Sequence, residues 1–322
     1  MTLRVLVTRR WPAPVEAFLR EHHDVTLNND DVPLGPEQLA AALHDYDAIL
    51  PTVTDPIDAT LLTDGPFRTK LFCNFGAGVD HIDLPRCREL GVIVTNTPDA
   101  VTEATADIAI LLMLSATRRS GEAERMLRAG QWGGWSPTSH IGLDLRGRAL
   151  GLIGFGRIAQ SVAQKAKAAF GMTIAYHSRN RQPRAIEDAF GAIYHPDLDS
   201  LLAAADIVSL HCPGGPETDR LIDRERLARM KPTAVLINTA RGSVVDDDAL
   251  IDALTRGVIA AAGLDVYRGE PELHPGYLAL ENAVLLPHLG SATIDTRIEM
   301  GMRAASNLGQ WAAGEVPRDR VA

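Results

Sequence analysis

Short runs of branched apolar residues alternate along this chain with longer stretches whose apolar positions recur every three to four residues. The first kind predicts buried strands and the second predicts amphipathic helices. In the first third, strands are expected at residues 5–7, 48–50, 71–74 and 92–95, with helical segments such as 15–20 and 37–43 between them. A long helix over 102–115 follows, then a more charged one over 119–129 and a loop over 130–137 carrying Trp132 and Trp135. The pattern then restarts. Strands are expected at 149–153, 173–176, 207–210, 235–238, 261–264 and 284–286, with helices including 158–169 and 248–256, and a closing helix over 294–313. Strands alternating with helices build parallel sheets, so the fold class is α/β with two sheet domains.

Length and charge narrow this picture. A chain of 322 residues is long for a single core, which favours two domains. The formal net charge of −9 provides no electrostatic attraction to nucleic acid or to an anionic membrane. Cys73, Cys87 and Cys212 are odd in number and scattered, a poor basis for disulfides or structural zinc and a good fit to the reducing cytoplasm. The first residues read as a strand, not as a leader peptide. The apolar run 108–114 is too short to span a bilayer, so a soluble protein is expected.

The most specific local signal follows the strand at 149–153. Gly154-Phe155-Gly156-Arg157-Ile158-Ala159 is a G-x-G-x-x-A turn entering a helix, the Rossmann arrangement for a dinucleotide. Gly154 permits the tight turn, Gly156 lets backbone approach the pyrophosphate, and Ala159 keeps helix and strand close. Cofactor choice is read at the end of the next strand, where a carboxylate would hold the ribose of NAD. Here stand Ser178, Arg179 and Arg181 with no carboxylate, so NADP(H) is expected over NAD(H). Arg179 is the first candidate for the 2′-phosphate and Arg181 the second.

Three residues at strand ends of the second region bear reactive chemistry: Arg241, Glu270 and His288. Each alone reads as an ordinary surface or structural residue. Together, where open α/β sheets bind ligands, they supply what reduction of a 2-oxo acid requires: a carboxylate anchor, a polarising cation and a proton donor. A histidine beside a carboxylate holds its proton better than a free one. Asp246, Asp247 and Asp248 read as a helix start, and His22 and His23 as solvated. Asp80, His81 and Asp83 lack further ligands at metal spacing, so no metal is expected.

The segments Gly151-Leu-Ile-Gly-Phe-Gly-Arg-Ile, Asn238-Thr-Ala-Arg-Gly-Ser-Val-Val-Asp, Gly263-Leu-Asp-Val-Tyr, Glu270-Pro and Leu286-Pro-His-Leu-Gly-Ser-Ala-Thr, in that order, carry a resemblance over nearly the whole chain. The sequence resembles the D-isomer-specific 2-hydroxyacid dehydrogenases. Residues 130–137 and the Tyr-His-Ser-Arg strand end look most like the glyoxylate/hydroxypyruvate reductase branch. The resemblance implies two Rossmann-like domains, a flavodoxin-like substrate domain (1–98 and 288–322) and a dinucleotide-binding domain (99–287), flanking a cleft. It implies His288 as general acid/base, Glu270 as its partner, and Arg241 on the substrate. Its cofactor residues map to Gly154, Gly156, Arg157, Ile158, Ser178, Arg179, Arg181, Cys212, Thr239 and, near the nicotinamide, Thr105 and Asp265. Ala77 and Gly78, in the turn Asn74-Phe-Gly-Ala-Gly-Val-Asp, map to amides that hold the substrate carboxylate; an ordinary turn is the alternative. A homodimer is implied, with residues 102–137 in its interface. The short C-terminus speaks against forms with a regulatory domain. Two rivals stay open: the same chemistry on a bulkier acid such as phenylpyruvate or 2-ketogluconate, and a dinucleotide-sensing corepressor.

Overall fold

The computed structural model describes residues 2–322. The chain divides into two compact units, Met1–Val101 with Ser291–Ala322, and Thr102–Gly290.

In unit 1, strands β1 (Arg4–Val7), β2 (Asp24–Leu27), β3 (Ala48–Leu50), β4 (Leu71–Cys73) and β5 (Ile93–Thr95) form one parallel sheet in the order β2-β1-β3-β4-β5. This is the flavodoxin-like order. Helices α1 (Ala13–His22), α2 (Pro36–Asp45) and α3 (Leu84–Glu89) connect the strands. Side-chain alternation along β1 explains why both faces are covered. Val5 and Val7 pack with Val15 and Leu19 of α1 and with Ala304 and Leu308 of the C-terminal helix Ile294–Ala312. Leu6, between them, points to the opposite layer with Leu43, Phe72 and Val94.

Unit 2 begins with α4 (Thr102–Thr117), which is apolar on nearly every side and packs on the sheet, and α5 (Ser120–Arg128), which buries no residue. Then come β6 (Ala149–Ile153), α6 (Arg157–Phe170), β7 (Thr173–His177), α7 (Arg184–Phe190), β8 (Ala192–Tyr194), α8 (Leu198–Ala204), β9 (Ile207–Leu210), α9 (Arg224–Arg229), β10 (Val235–Asn238), α10 (Asp247–Thr255), β11 (Ala261–Leu264) and β12 (Ala283–Leu285). All seven strands are parallel, in the order β12-β11-β10-β9-β6-β7-β8. Counted within the unit, the first strand lies between the second and the fourth, so the winding reverses between β6 and β9. That reversal is the dinucleotide crevice of doubly wound sheets.

Several boundaries differ from the sequence expectation by a residue or two, as at β4, which ends on Cys73, and α4, which runs on to Thr117. Strands β2 and β8 had no expected counterpart, and helices α3, α7, α8 and α9 were expected only in general, as helices between strands, with no range given. The first of these, Asp-Val-Thr-Leu, is a half-exposed edge strand and carries no apolar run. Asp246 caps α10 as expected, accepting a hydrogen bond from the Ala249 amide at 3.1 Å. His23 departs from the solvated reading: it is half-buried, and burial lowers its pKa. Among the described residues, no helix is long and apolar enough to cross a membrane.

Candidate active site

The glycine turn lies at the reversal point of unit 2. Gly154 has φ +88°, and a Cβ there would come within 2.7 Å of the His211 carbonyl oxygen at the end of β9. Only glycine lets the chain turn this close to the neighbouring strand. Burial pushes His211 down to about 4, so it stands neutral, paired through Nε2 with the Ser209 hydroxyl at 2.8 Å. Gly156 is the N-cap of the fourteen-residue α6. No side chain caps the helix, its first turn holds no carboxylate, and a Cβ on Gly156 would meet no atom within 4 Å. Arg157 and Ile158 open the helix. The start of α6 thus has no side-chain cap and no acid of its own beside the positive end of the helix dipole, which fits a pyrophosphate. At the end of β10 the Thr239 hydroxyl is buried with no hydrogen-bond partner, and Cys212, half-buried after β9, borders the same turn. These observations fit a dinucleotide.

After β7, the Ser178 hydroxyl donates to the Asn180 carbonyl at 2.7 Å. Arg179 is exposed and pairs with Glu217 at 2.7 Å. Arg181 gives Nε and Nη2 to the two oxygens of buried Glu187, both at 2.8 Å. Both arginine candidates are exposed, and they differ in their partners: Arg179 pairs with an exposed carboxylate and Arg181 with a buried one.

The strand ends of β10, β11 and β12 bring the reactive side chains together. Asn238 shapes the first loop, its Oδ1 accepting from the Ala240 amide at 3.0 Å and its Nδ2 donating to the Arg241 carbonyl at 2.9 Å. At Gly242 a Cβ would lie 1.8 Å from the Tyr267 carbonyl carbon, so this loop packs flat on the next one only because it has no side chain there. Arg268 bridges the two, donating to the Ser243 carbonyl at 2.7 Å. Glu270 accepts from the Tyr267 amide at 2.8 Å and lies 2.7 Å from His288 Nδ1. An ionised carboxylate only accepts, so the Nδ1 proton belongs to the histidine. Burial pushes the Glu270 carboxyl up, but the hydrogen bond and charge of His288, the Tyr267 amide and the Arg241 charge together hold it below its usual value.

His288 has left-handed backbone, φ +54°, an uncommon state for a residue with a Cβ. Asp265 holds it there. Its carbonyl accepts from the His288 amide at 2.9 Å, and its carboxylate accepts from the Leu289 and Gly290 amides at 2.6 and 2.8 Å. The Thr105 hydroxyl closes the loop on the Gly290 carbonyl at 3.0 Å. Asp265 is 1% exposed, and burial raises its pKa in spite of those amides. Thr105 and Asp265, expected at the cofactor, thus have their polar atoms engaged with the His288 loop. The clamp was not legible in the sequence, where Asp265 stands as one more strand-end acid.

In unit 1, the turn after β4 is organised by asparagines. Asn74 Nδ2 donates to the Gly76 and Gly78 carbonyls at 3.1 and 2.8 Å, and Asn96 Nδ2 to the Ala77 carbonyl at 2.7 Å. In a trans peptide the amide points opposite to the preceding carbonyl. Drawing in the Gly76 and Ala77 carbonyls therefore turns the Ala77 and Gly78 amides away from the two asparagines. An asparagine heading a glycine-rich turn was the available signal.

Comparison with known proteins gives the family. Residues 110–290 match the family model of the D-isomer specific 2-hydroxyacid dehydrogenase, NAD binding domain. The chain belongs to the D-isomer-specific 2-hydroxyacid dehydrogenases. It is 44% identical over 321 residues to a glyoxylate reductase of Thermococcus onnurineus, covering 98% of this chain and 95% of that one. The solved glyoxylate reductase from Paecilomyes thermophila is 36% identical, with a TM-score of 0.87 over 99% of this chain and 98% of that chain. An NADPH-dependent glyoxylate/hydroxypyruvate reductase of Sinorhizobium meliloti, solved with NADP and malonate, is 34% identical, with a TM-score of 0.85 over 100% and 97%. The chain is an NAD(P)-dependent oxidoreductase of the glyoxylate reductase branch.

Proposed function

We propose that this dehydrogenase reduces a small 2-oxo acid, glyoxylate or hydroxypyruvate, to the D-2-hydroxy acid, with NADPH preferred over NADH. The observation that carries the reading is the His288–Glu270 pair at 2.7 Å, whose carboxylate also feels the charge of Arg241. Bound at the glycine turn, the dinucleotide supplies a hydride to the keto carbon. His288 gives its Nε2 proton to the keto oxygen, so one hydride and one proton make the alcohol. Glu270 fixes the ring through Nδ1 and balances the charge of the imidazolium before transfer. Arg241 binds the carboxylate and polarises the keto oxygen through two parallel donors.

Unit 1, with the Ala77 and Gly78 amides as its substrate-binding groups, is the substrate domain, and unit 2 is the dinucleotide domain. Gly154, Gly156, Arg157 and Ile158 cradle the pyrophosphate, with Thr239, Cys212, Thr105 and Asp265 along the rest of the cofactor. The absence of a carboxylate after β7, with Arg179 exposed there, supports the phosphorylated cofactor. Exposed Leu127, Trp132, Trp135 and Ile141 support a homodimer through this part of unit 2. Three free cysteines support a cytoplasmic setting.

The test follows oxidation of NADPH and NADH with glyoxylate, hydroxypyruvate, pyruvate, phenylpyruvate and 2-ketogluconate. Highest kcat/KM for glyoxylate or hydroxypyruvate with NADPH is the expected result. A clear preference for a larger acid would replace the substrate. No turnover with any of them, despite tight dinucleotide binding, would replace the reading with a dinucleotide sensor.

A further inference from the structure

The turn after β7 is fastened more heavily than a surface loop needs to be. Glu187, on α7, is 3% exposed, yet it carries a charge. Its Oε1 accepts from the Tyr176 hydroxyl at 2.7 Å and from Arg181 Nε at 2.8 Å, and its Oε2 accepts from Arg181 Nη2 at 2.8 Å. The Tyr176 oxygen in turn accepts from the Gln182 amide at 2.9 Å. The Arg181 guanidinium also lies over the Tyr194 ring, 5.5 Å from its centroid. Tyr194 donates from its hydroxyl to the Ser178 carbonyl at 3.4 Å. Tyr176 is fully buried, and its ring stacks on Phe155 at 4.4 Å and 23°. Phe155 is the residue between the two glycines of the phosphate turn. One chain of contacts therefore runs from the glycine turn through Tyr176 and Glu187 to Arg181.

The loop is held at Ser178, at Arg181 and at Gln182; Arg179, between these points, pairs only with Glu217 at 2.7 Å, a contact exposed on both sides, whereas the partner of Arg181 is buried. The paired edge of the Arg181 guanidinium is committed. Drawing it to a ligand would strand a buried carboxylate, which is strongly unfavourable. We propose that Arg181, Glu187 and Tyr176 form a positioning clamp that shapes the 178–182 loop and so sets the preference for the phosphorylated dinucleotide, leaving Arg179 to contact the 2′-phosphate. The proposal rests on the reading above that this loop receives that phosphate.

The rival role, Arg181 as a direct phosphate ligand, predicts the opposite sign for one variant. Freed from its carboxylate by Glu187→Gln, a ligand arginine would bind NADPH as well or better. A positioning arginine would lose its hold, and NADPH binding would weaken. The experiment measures Kd for NADPH and NADH in wild type, Arg179→Ala, Arg181→Ala, Glu187→Gln and the Arg181→Ala/Glu187→Gln double variant. If wild type shows no preference, or Arg179→Ala leaves the preference intact, the 2′-phosphate reading fails first.

If Arg179→Ala removes the preference, the clamp is judged by the rest. Arg181→Ala and Glu187→Gln are each expected to weaken NADPH about tenfold, the worth of one charge-assisted hydrogen bond, with NADH changed less than about twofold. The double variant is expected to be no worse than either single one, because both break the same unit. Unchanged or tighter NADPH binding by Glu187→Gln overturns the clamp, as does equal weakening of both cofactors. Should Glu187→Gln fail to fold, Arg181→Lys decides. A lysine keeps a point charge for phosphate but cannot bridge both oxygens of Glu187. Loss of selectivity as large as in Arg181→Ala supports the clamp, and retained selectivity overturns it.

Discussion

Both units are parallel sheets whose winding reverses beside the first strand, yet the turns leaving those first strands are built in opposite ways. In unit 2 the turn after β6 is glycine, aromatic, glycine, and α6 begins with neither a side-chain cap nor a carboxylate in its first turn. In unit 1 the turn after β1 is Thr8-Arg9-Arg10-Trp11-Pro12. There Trp11 is buried against Phe75 with ring centroids 4.6 Å apart. Pro12 occupies the N-cap of α1. Glu16 in the first turn of α1 turns its carboxylate back to the Trp11 amide at 2.9 Å and to Arg10 Nε at 3.0 Å. The positive end of α1 is met by the protein's own acid, and that of α6 has no acid in its first turn. The same topology therefore carries an acid at one helix start and none at the other, so the positive helix end is neutralised by the protein itself only in unit 1.

The comparison can be broken at its chemical end first. If the strand ends of unit 2 carry the reaction, His288→Gln is expected to cut kcat by about 10²–10⁴ while the Kd for either dinucleotide stays near that of wild type. Equal kcat in variant and parent would remove His288 from proton transfer.

Making the open turn resemble the filled one comes next. Gly156→Asp places a carboxylate where a Cβ meets no atom. It is expected to weaken NADPH and NADH alike, on the order of 100-fold, because like charges at this range cost several kcal/mol. The melting temperature should not fall, since an aspartate N-cap is at least as good as glycine. Retained dinucleotide affinity would show that the bare helix end is not the phosphate site.

Emptying the filled turn should have the complementary effect. Glu16→Ala is expected to cost about 1–3 kcal/mol of stability, through a buried amide and an arginine left unpaired, with kcat per folded molecule unchanged. Thermal denaturation beside steady-state kinetics separates the two quantities.

The smallest expected effect lies in acid. Arg181, and then Tyr176, hold the Glu187 carboxyl down at about 2 from its ordinary 4.5. A carboxyl depressed in the folded state stabilises fully above its ordinary value, and that contribution fades as pH falls through the folded one. The melting-temperature gap between wild type and Glu187→Gln should therefore be constant from neutral pH to about 4.5 and narrow between 4.5 and 2. A gap that does not narrow over that interval would mean the carboxylate charge contributes nothing to the clamp.

Much of this was legible along the chain because it depends on local rules. Strands β1, β3, β6, β9 and β10 announce themselves as apolar runs since parallel strands are covered on both faces. The Gly154–Gly156 turn is readable because the backbone conformation it requires excludes other residues. Arg241, Glu270 and His288 could be placed at strand ends by counting from the runs of β10, β11 and β12. Edge strands β2 and β8 could not be placed, because half-exposed strands tolerate polar residues and lose the apolar signal.

What the sequence determined by itself was thus the alternation of strand and helix, the two sheets, the glycine turn and the set of residue types fit for the reaction. Only the tertiary structure decided what each polar side chain is for. Asp265 became the clamp of the His288 loop, Asn74 the donor to the Gly76 and Gly78 carbonyls, and Arg181 the partner of Glu187. The physical reason is the range of the forces involved. Periodicity and turn conformation are set by neighbours in sequence, whereas a hydrogen bond requires atoms within about 3 Å of each other, and only the folded sheet brings Asp265 to Gly290 or the Glu270 carboxylate to the His288 ring.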